Sequence, residues 1–225
     1  MSNTQHSTRA LNNLAREFAK CEACPRHKRR RCTIEGRGNP QAKIVFVQER
    51  YYEADIYESA PLSGMPGNFL SDVLMSLDYD PDDVWVTGAL KCPDREFKAP
   101  KDDIVKACRH WVEKELSIIQ PDVIVCLGTA AVKAVLPKQR PEVAYNDGLV
   151  FDALIPGVLV PYSVPVVVTH NPMLLLRNQD YSAEGGMSRF YRHVQTAVEM
   201  QKDIEAIRAG KSFEEVFHEQ SNSSN

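Results

Sequence analysis

The sequence predicts an α/β fold in which a parallel sheet carries helices on both faces. Three observations predict it. Short apolar runs rich in Val and Ile recur along the chain. Longer helical stretches separate them, so strands alternate with helices. The runs lack polar alternation, as expected of strands covered on both sides.

The elements follow in order. Ser7 or Thr8 caps a first helix that runs to about Lys20. Residues 21–40 form an irregular segment rich in Cys, Arg and Gly. Strands are predicted at 43–48, 84–87, 123–127 and 164–169, and helices at 68–77, 101–119, 129–136 and 186–207. No internal repeat interrupts this order. Residues 1–210 are expected to form a single domain, and the tail from Lys211, ending in Ser-Asn-Ser-Ser-Asn, a flexible extension.

A chain of 225 residues can bury a sizeable core. A net charge of -3 argues neither for nor against nucleic acid, so the distribution of charge matters more than its sum. Residues 1–10 are polar, unlike a secretory signal, and no apolar run is long enough to span a bilayer. The expectation is a cytoplasmic monomer without membrane attachment, whose six cysteines are not paired as disulfides.

In parallel α/β sheets ligands sit at the carboxyl ends of the strands. Four stretches lie at such ends: Gln48-Glu49-Arg50-Tyr51-Tyr52, Thr87-Gly88-Ala89, Leu127-Gly128-Thr129 and Thr169-His170-Asn171-Pro172. The first brings acids, an arginine and two tyrosines to the mouth of a buried strand. Its bland alternative is a solvated surface loop.

The cysteines carry the most specific signal. Cys21 and Cys24 form a C-x-x-C before a proline, Cys92 follows the second strand, and Cys108 lies in the next helix. Four thiolates converging from a turn and a strand–helix unit suit zinc or an iron–sulfur cluster. Cys126 reads as core and Cys32 as a spare thiol.

Together these motifs, with Pro61-Leu62-Ser63-Gly64 and His170-Asn171-Pro172 in the same order, resemble the iron–sulfur, family-four branch of the uracil-DNA glycosylase superfamily. The resemblance covers roughly residues 15–200. It implies a three-layer α/β/α sandwich with a short central parallel sheet. It also implies a [4Fe–4S] cluster on Cys21, Cys24, Cys92 and Cys108, with DNA as the partner.

The departures from that family bear on the base pocket. Its Gly-Glu-Ala-Pro-Gly loop corresponds to Gln48, Glu49, Arg50, Tyr51 and Tyr52, so the Glu stays and the small residues go. Asp55 matches an acid six positions later. Leu62 stands where a Phe stacks on uracil, and Gly88 where an Asn reads its edge. The family's His falls on Asn171, with His170 one residue earlier. Both pocket changes remove volume, and Gly88 removes a hydrogen-bonding group worth about 1–3 kcal/mol in a dry site. These changes predict a widened pocket for a bulky hypermodified pyrimidine, such as glucosylated hydroxymethylcytosine in phage DNA. The role would then be antiviral defence. An ordinary uracil glycosylase in repair and a catalytically inactive reader of modified bases are the alternatives.

Cleavage of an N-glycosidic bond passes through a sugar with oxocarbenium character, which a carboxylate stabilises. Asp55 is the first candidate for that carboxylate and Glu49 the second. His170 or Asn171 would face the departing base. No lysine nucleophile stands out, so a monofunctional glycosylase leaving an abasic site is expected. A flipped base leaves a gap that an apolar wedge fills, and Leu174 and Leu175 before Arg177 supply one. The run Arg26 to Arg31, with Arg29, Arg30 and Arg31 at its end, suits phosphates. Ser63 and Gly64 allow close backbone approach, and Lys91 adds a charge beside Cys92.

Overall fold

Strand β2 (Ile44–Gln48) is buried along its whole length, yet its successive side chains point to opposite faces. Val45 and Val47 enter one apolar cluster, Ile44 and Phe46 another. Strand β4 (Val123–Leu127) repeats the pattern, with Ile124 and Cys126 on the first side and Val123, Val125 and Leu127 on the second. Two cores separated by one sheet make three layers. The computed structural model describes residues 3–94, 98–139, 142–157 and 160–216.

Helices α1 (Asn3–Ala19), α4 (Asp102–Ile119) and α5 (Thr129–Val135) cover the first face. Helices α3 (Met65–Ser76), α7 (Pro172–Asn178) and α8 (Gly186–Arg208) cover the second. Two short helices lie at the strand ends: α2 (Glu53–Glu58) after β2, and α6 (Val143–Asn146) after α5. The sheet has six strands in the order β1-β3-β2-β4-β6-β5, adding β1 (Arg37–Gly38), β3 (Trp85–Gly88), β5 (Val150–Ile155) and β6 (Tyr162–Thr169). Its four central strands are parallel, as expected. The two edge strands are antiparallel and flank this parallel centre. Strand β5 escapes sequence reading because it alternates exposed and covered residues at an edge.

Within the tail expected from Lys211, residues 213–216 form a helical turn and Val216 is buried. Residues 217–225 lie outside the described residues. Among the described residues no helix is long and apolar enough to cross a membrane.

Candidate active site and cysteine centre

Strands β2, β3, β4 and β6 end together, and the backbone ties their ends to one another. The Glu49 amide donates to Leu127 (3.1 Å), the Ala89 amide to Gln48 (2.8 Å) and the Gly128 amide to Thr169 (3.0 Å). Glu49 and Asn171 meet across this rim: the Asn171 amide nitrogen donates to Glu49 Oε1 at 3.4 Å, and Arg50 lies 3.4 Å from the same oxygen. Asn171 is fixed as the N-cap of α7, where its Oδ1 accepts the Met173 amide at 2.9 Å. The Glu49 carboxylate packs over Gly128. A Cβ there would lie 2.6 Å from the carboxyl carbon, and Gly128 has a φ of +102°. Glu49 thus stays partly open to the rim, with 13% of its side chain exposed.

Asp55, the first-choice catalytic acid, sits in different surroundings. It is buried and accepts the Ser63 amide (2.7 Å), the Tyr52 amide (2.8 Å) and the Gln48 side-chain amide (3.3 Å). These bonds form a capping box at the start of α2 and tie down the loop that follows it. Burial pushes its carboxyl above the usual range, outweighing the donors that stabilise its charge. Its lone pairs face protein amides, so Asp55 ties down the loop, and Glu49 is the carboxylate nearer the open rim. Gln48 is also structural: buried at the end of β2, it accepts the Leu62 amide at 2.9 Å. The Ser63 amide is spent on Asp55, and its hydroxyl donates to Ala60. Gly64 (φ +69°), exposed at the start of α3, remains open to a phosphate.

The widened pocket expected from Leu62 and Gly88 also needs correction. Tyr51 fills the volume beside Gly88: a Cβ at 88 would lie 2.3 Å from the Tyr51 hydroxyl oxygen. That ring is buried and its hydroxyl donates to the Ile34 carbonyl at 3.3 Å. Burial raises the Tyr51 hydroxyl well above its ordinary pKa, reinforced by Glu115, Cys108, Asp55 and Cys92 nearby. Leu62 is likewise buried, within the second apolar cluster. The polar rim consists of Arg50 and Tyr52, with the guanidinium 5.7 Å from the ring centre. Arg177 lies within electrostatic reach of Tyr52, which brings the end of α7 to the same mouth.

Of the wedge candidates, Leu174 is 46% exposed while Leu175 is buried at 5% against the core. Leu175 is therefore a packing residue, and Leu174 alone can reach a DNA gap. His170, one residue before Asn171, contacts Asp147 through Nδ1 at 2.8 Å. Asp147 and its neighbours Arg189 and His193 are the residues that sequence reading missed. The Asn-Asp-Gly turn at 146–148 was their one visible signal.

The cysteine centre lies behind the β3 end. Cys92 is within the electrostatic field of Cys24 and Cys21, and Cys108 within that of Cys92 and Cys24. Burial raises the Cys92 thiol and pushes Cys108 up to about 11, opposed by Arg30 and Lys91 respectively. Among the described residues, no three His, Cys, Asp or Glu side chains are close enough to hold one metal ion. Cys126 is core, as expected.

The basic run divides its work. Arg26 bonds the Cys92 carbonyl and Asp94, and Arg30 reaches the Cys21 and Ala19 carbonyls and the Cys92 sulfur. Both therefore clip the cysteine segment together. Arg29 and Arg31 are exposed. These arginines, with Cys32 and Asp94, line a cavity of about 380 Å³. Lys91 is only 1% exposed, salt-bridged to Glu115 and bonded to Thr87 at 2.7 Å. It cannot reach a phosphate, which corrects its assignment to DNA contact.

The uracil DNA glycosylase superfamily model matches residues 35–195. A type-4 uracil-DNA glycosylase of Archaeoglobus fulgidus is 33% identical over 124 residues, 55% of this chain. The match spans 62% of that relative's length. The Thermotoga maritima type-4 enzyme is 31% identical over 160 residues, covering 71% of this chain and 80% of its own. That of Saccharolobus solfataricus is 27% identical over 169 residues, covering 75% and 78%.

Proposed function

Because the chain belongs to the uracil DNA glycosylase superfamily, we propose that it is a monofunctional DNA glycosylase, acting as a monomer on a base flipped out of DNA. The observation that carries this reading is the meeting of Glu49 and Asn171 at the carboxyl ends of the parallel strands, over Gly128. Glu49 stabilises the positive charge that develops on the sugar and orients the attacking water. The C1′–N bond breaks with both electrons leaving on the base. The water oxygen then bonds C1′, its proton passing to Glu49, while His170 faces the base and supplies the proton it takes up. An abasic site remains.

Leu174 fills the gap left by the flipped base, and Arg177, Arg29, Arg31 and Gly64 meet the phosphates. Cys21, Cys24, Cys92 and Cys108 hold a [4Fe–4S] cluster that acts as a structural clip. Its contribution is to fix the N-terminal segment and its arginines, and it takes no part in the bond-breaking step.

Uracil, the base named for the relatives, is the first substrate to test. Removal of uracil would make this a repair enzyme. A bulkier modified pyrimidine in phage DNA is the second reading. The observation favouring it is the rim of Arg50 and Tyr52 at the strand ends, which offers hydrogen-bonding groups to a substituent on the base. Mass spectrometry of bases released from DNAs carrying uracil, hypoxanthine, cytosine, hydroxymethylcytosine or glucosylated hydroxymethylcytosine decides between the two. Release of none of them overturns the enzymatic reading.

A further inference from the structure

Three charged or titratable side chains, one after α6 and two on α8, converge behind His170. Asp147 follows α6, while Arg189 and His193 project from α8. Asp147 Oδ1 lies 2.8 Å from His170 Nδ1 and 3.6 Å from His193 Nδ1, and Oδ2 accepts from Arg189 Nε at 3.2 Å. His193 Nδ1 is in turn 2.9 Å from the Thr169 hydroxyl, at the last residue of β6. The turn that presents Asp147 is tightly specified. Gly148 has a φ of +81°, its amide donates to the Val168 carbonyl (2.8 Å), and a Cβ there would lie 2.6 Å from His193 Nε2.

We infer that Asp147 is a positioning residue: it anchors the Nδ1 edge of His170 so that Nε2 is left to face the departing base. The inference rests on the glycosylase reading above and adds a residue to it. Three features carry it. The two carboxylate oxygens have separate partners, so the carboxylate cannot swing without losing one of them. With Nδ1 committed as donor to Asp147, only Nε2 remains for the substrate. The tight Gly148 turn also fixes the carboxylate against the ring. The carboxylate is kept in its charged form by its surroundings. Burial alone would raise Asp147, but His170, His193 and Arg189 outweigh it and hold the carboxyl below its ordinary value. His193 is held below its ordinary value, first by burial and then by Arg189 and Arg192, against the pull of Asp147. His193 Nδ1 sits closer to the Thr169 hydroxyl than to Asp147, which leaves His170 as the nearer imidazole partner of the carboxylate.

The test combines single-turnover base release with nitrogen-resolved histidine spectra, using wild type, Asp147→Asn, His170→Gln and the double variant. The expected result is a drop of about 100-fold for Asp147→Asn with unchanged DNA affinity. The same substitution in the His170→Gln background should cost less than twofold. In the spectra the wild-type His170 should show a protected Nδ1 proton that Asp147→Asn abolishes. Equal costs in both backgrounds would reduce Asp147 to a structural role and overturn the inference, as would a wild-type His170 with no protected Nδ1 proton. Wild-type protein that shows the protected proton but releases no base would leave the anchoring standing and overturn the glycosylase reading instead.

Discussion

Glu49 lies in the loop after β2 and Asp55 in the first turn of α2, and the two face different surroundings. Glu49 turns its carboxylate toward the open rim, held by Asn171 and Arg50, while Asp55 accepts amides from Tyr52, Ser63 and Gln48 inside the loop. Glu49→Gln should therefore slow single-turnover base release by about 10²–10³-fold with little change in melting temperature. Asp55→Ala should do the reverse in kind. It leaves buried amide donors unpaired, at about 1–3 kcal/mol for each group, so its primary effect in a melting experiment is lost stability. Spacing in the sequence could nominate both acids but could not rank them, because capping is decided by which amides point inward. Asp147 provides the pH test at this scale. Its folded-state pKa is lowered, so its stabilisation is present above the ordinary carboxylate range and is lost as pH falls through the folded value. The melting-temperature gap between wild type and Asp147→Asn should accordingly close as the solution is acidified below about pH 4, the ordinary carboxylate value.

The strand ends depend on two glycines that do different things. At Gly128, φ is +102° and the Glu49 carboxyl occupies the space a Cβ would need. Gly128→Ala should therefore lower activity and stability together. At Gly88 the obstacle is Tyr51, so Gly88→Asn overpacks a filled space and should destabilise by about 1–3 kcal/mol. Chemical denaturation should show part of that loss recovered when Tyr51 is also truncated. Helix α7 presents Leu174 outward and Leu175 inward. Leu174→Ala should therefore reduce release from duplex DNA more than from a single strand, where no stack has to be refilled. The buried central strands could be read from their apolar runs, and the long helices to within a few residues. Helix α2 and strands β1 and β5 could not. Two of these are held by side-chain capping or by a two-residue pairing, and β5 is an edge whose outer face is wet.

At the scale of the whole molecule, the cysteine centre joins α1, the basic turn, the β3 end and α4. Cys108→Ser, or a chelator acting on the proposed cluster, should expose residues 21–34 to trypsin at Arg29 and Arg31 while the sheet core stays protected. Spacing nominates the four cysteines, whereas the inward turn of Arg30 and Lys91 leaves no mark in the sequence. A basic residue beside a thiol reads the same in sequence whether it faces phosphate or Glu115. The pocket shape was hidden for a similar reason: loss of a side chain at Gly88 implies a void only if no neighbour moves in, and Tyr51 does. The most direct measurement of the central claim is mass spectrometry of free base released from the DNA panel by wild type and Glu49→Gln side by side. The account predicts a free pyrimidine and an abasic strand with wild type, and release slowed at least about 100-fold by Glu49→Gln. Equal release by the two proteins, or none by wild type on any DNA, would contradict it.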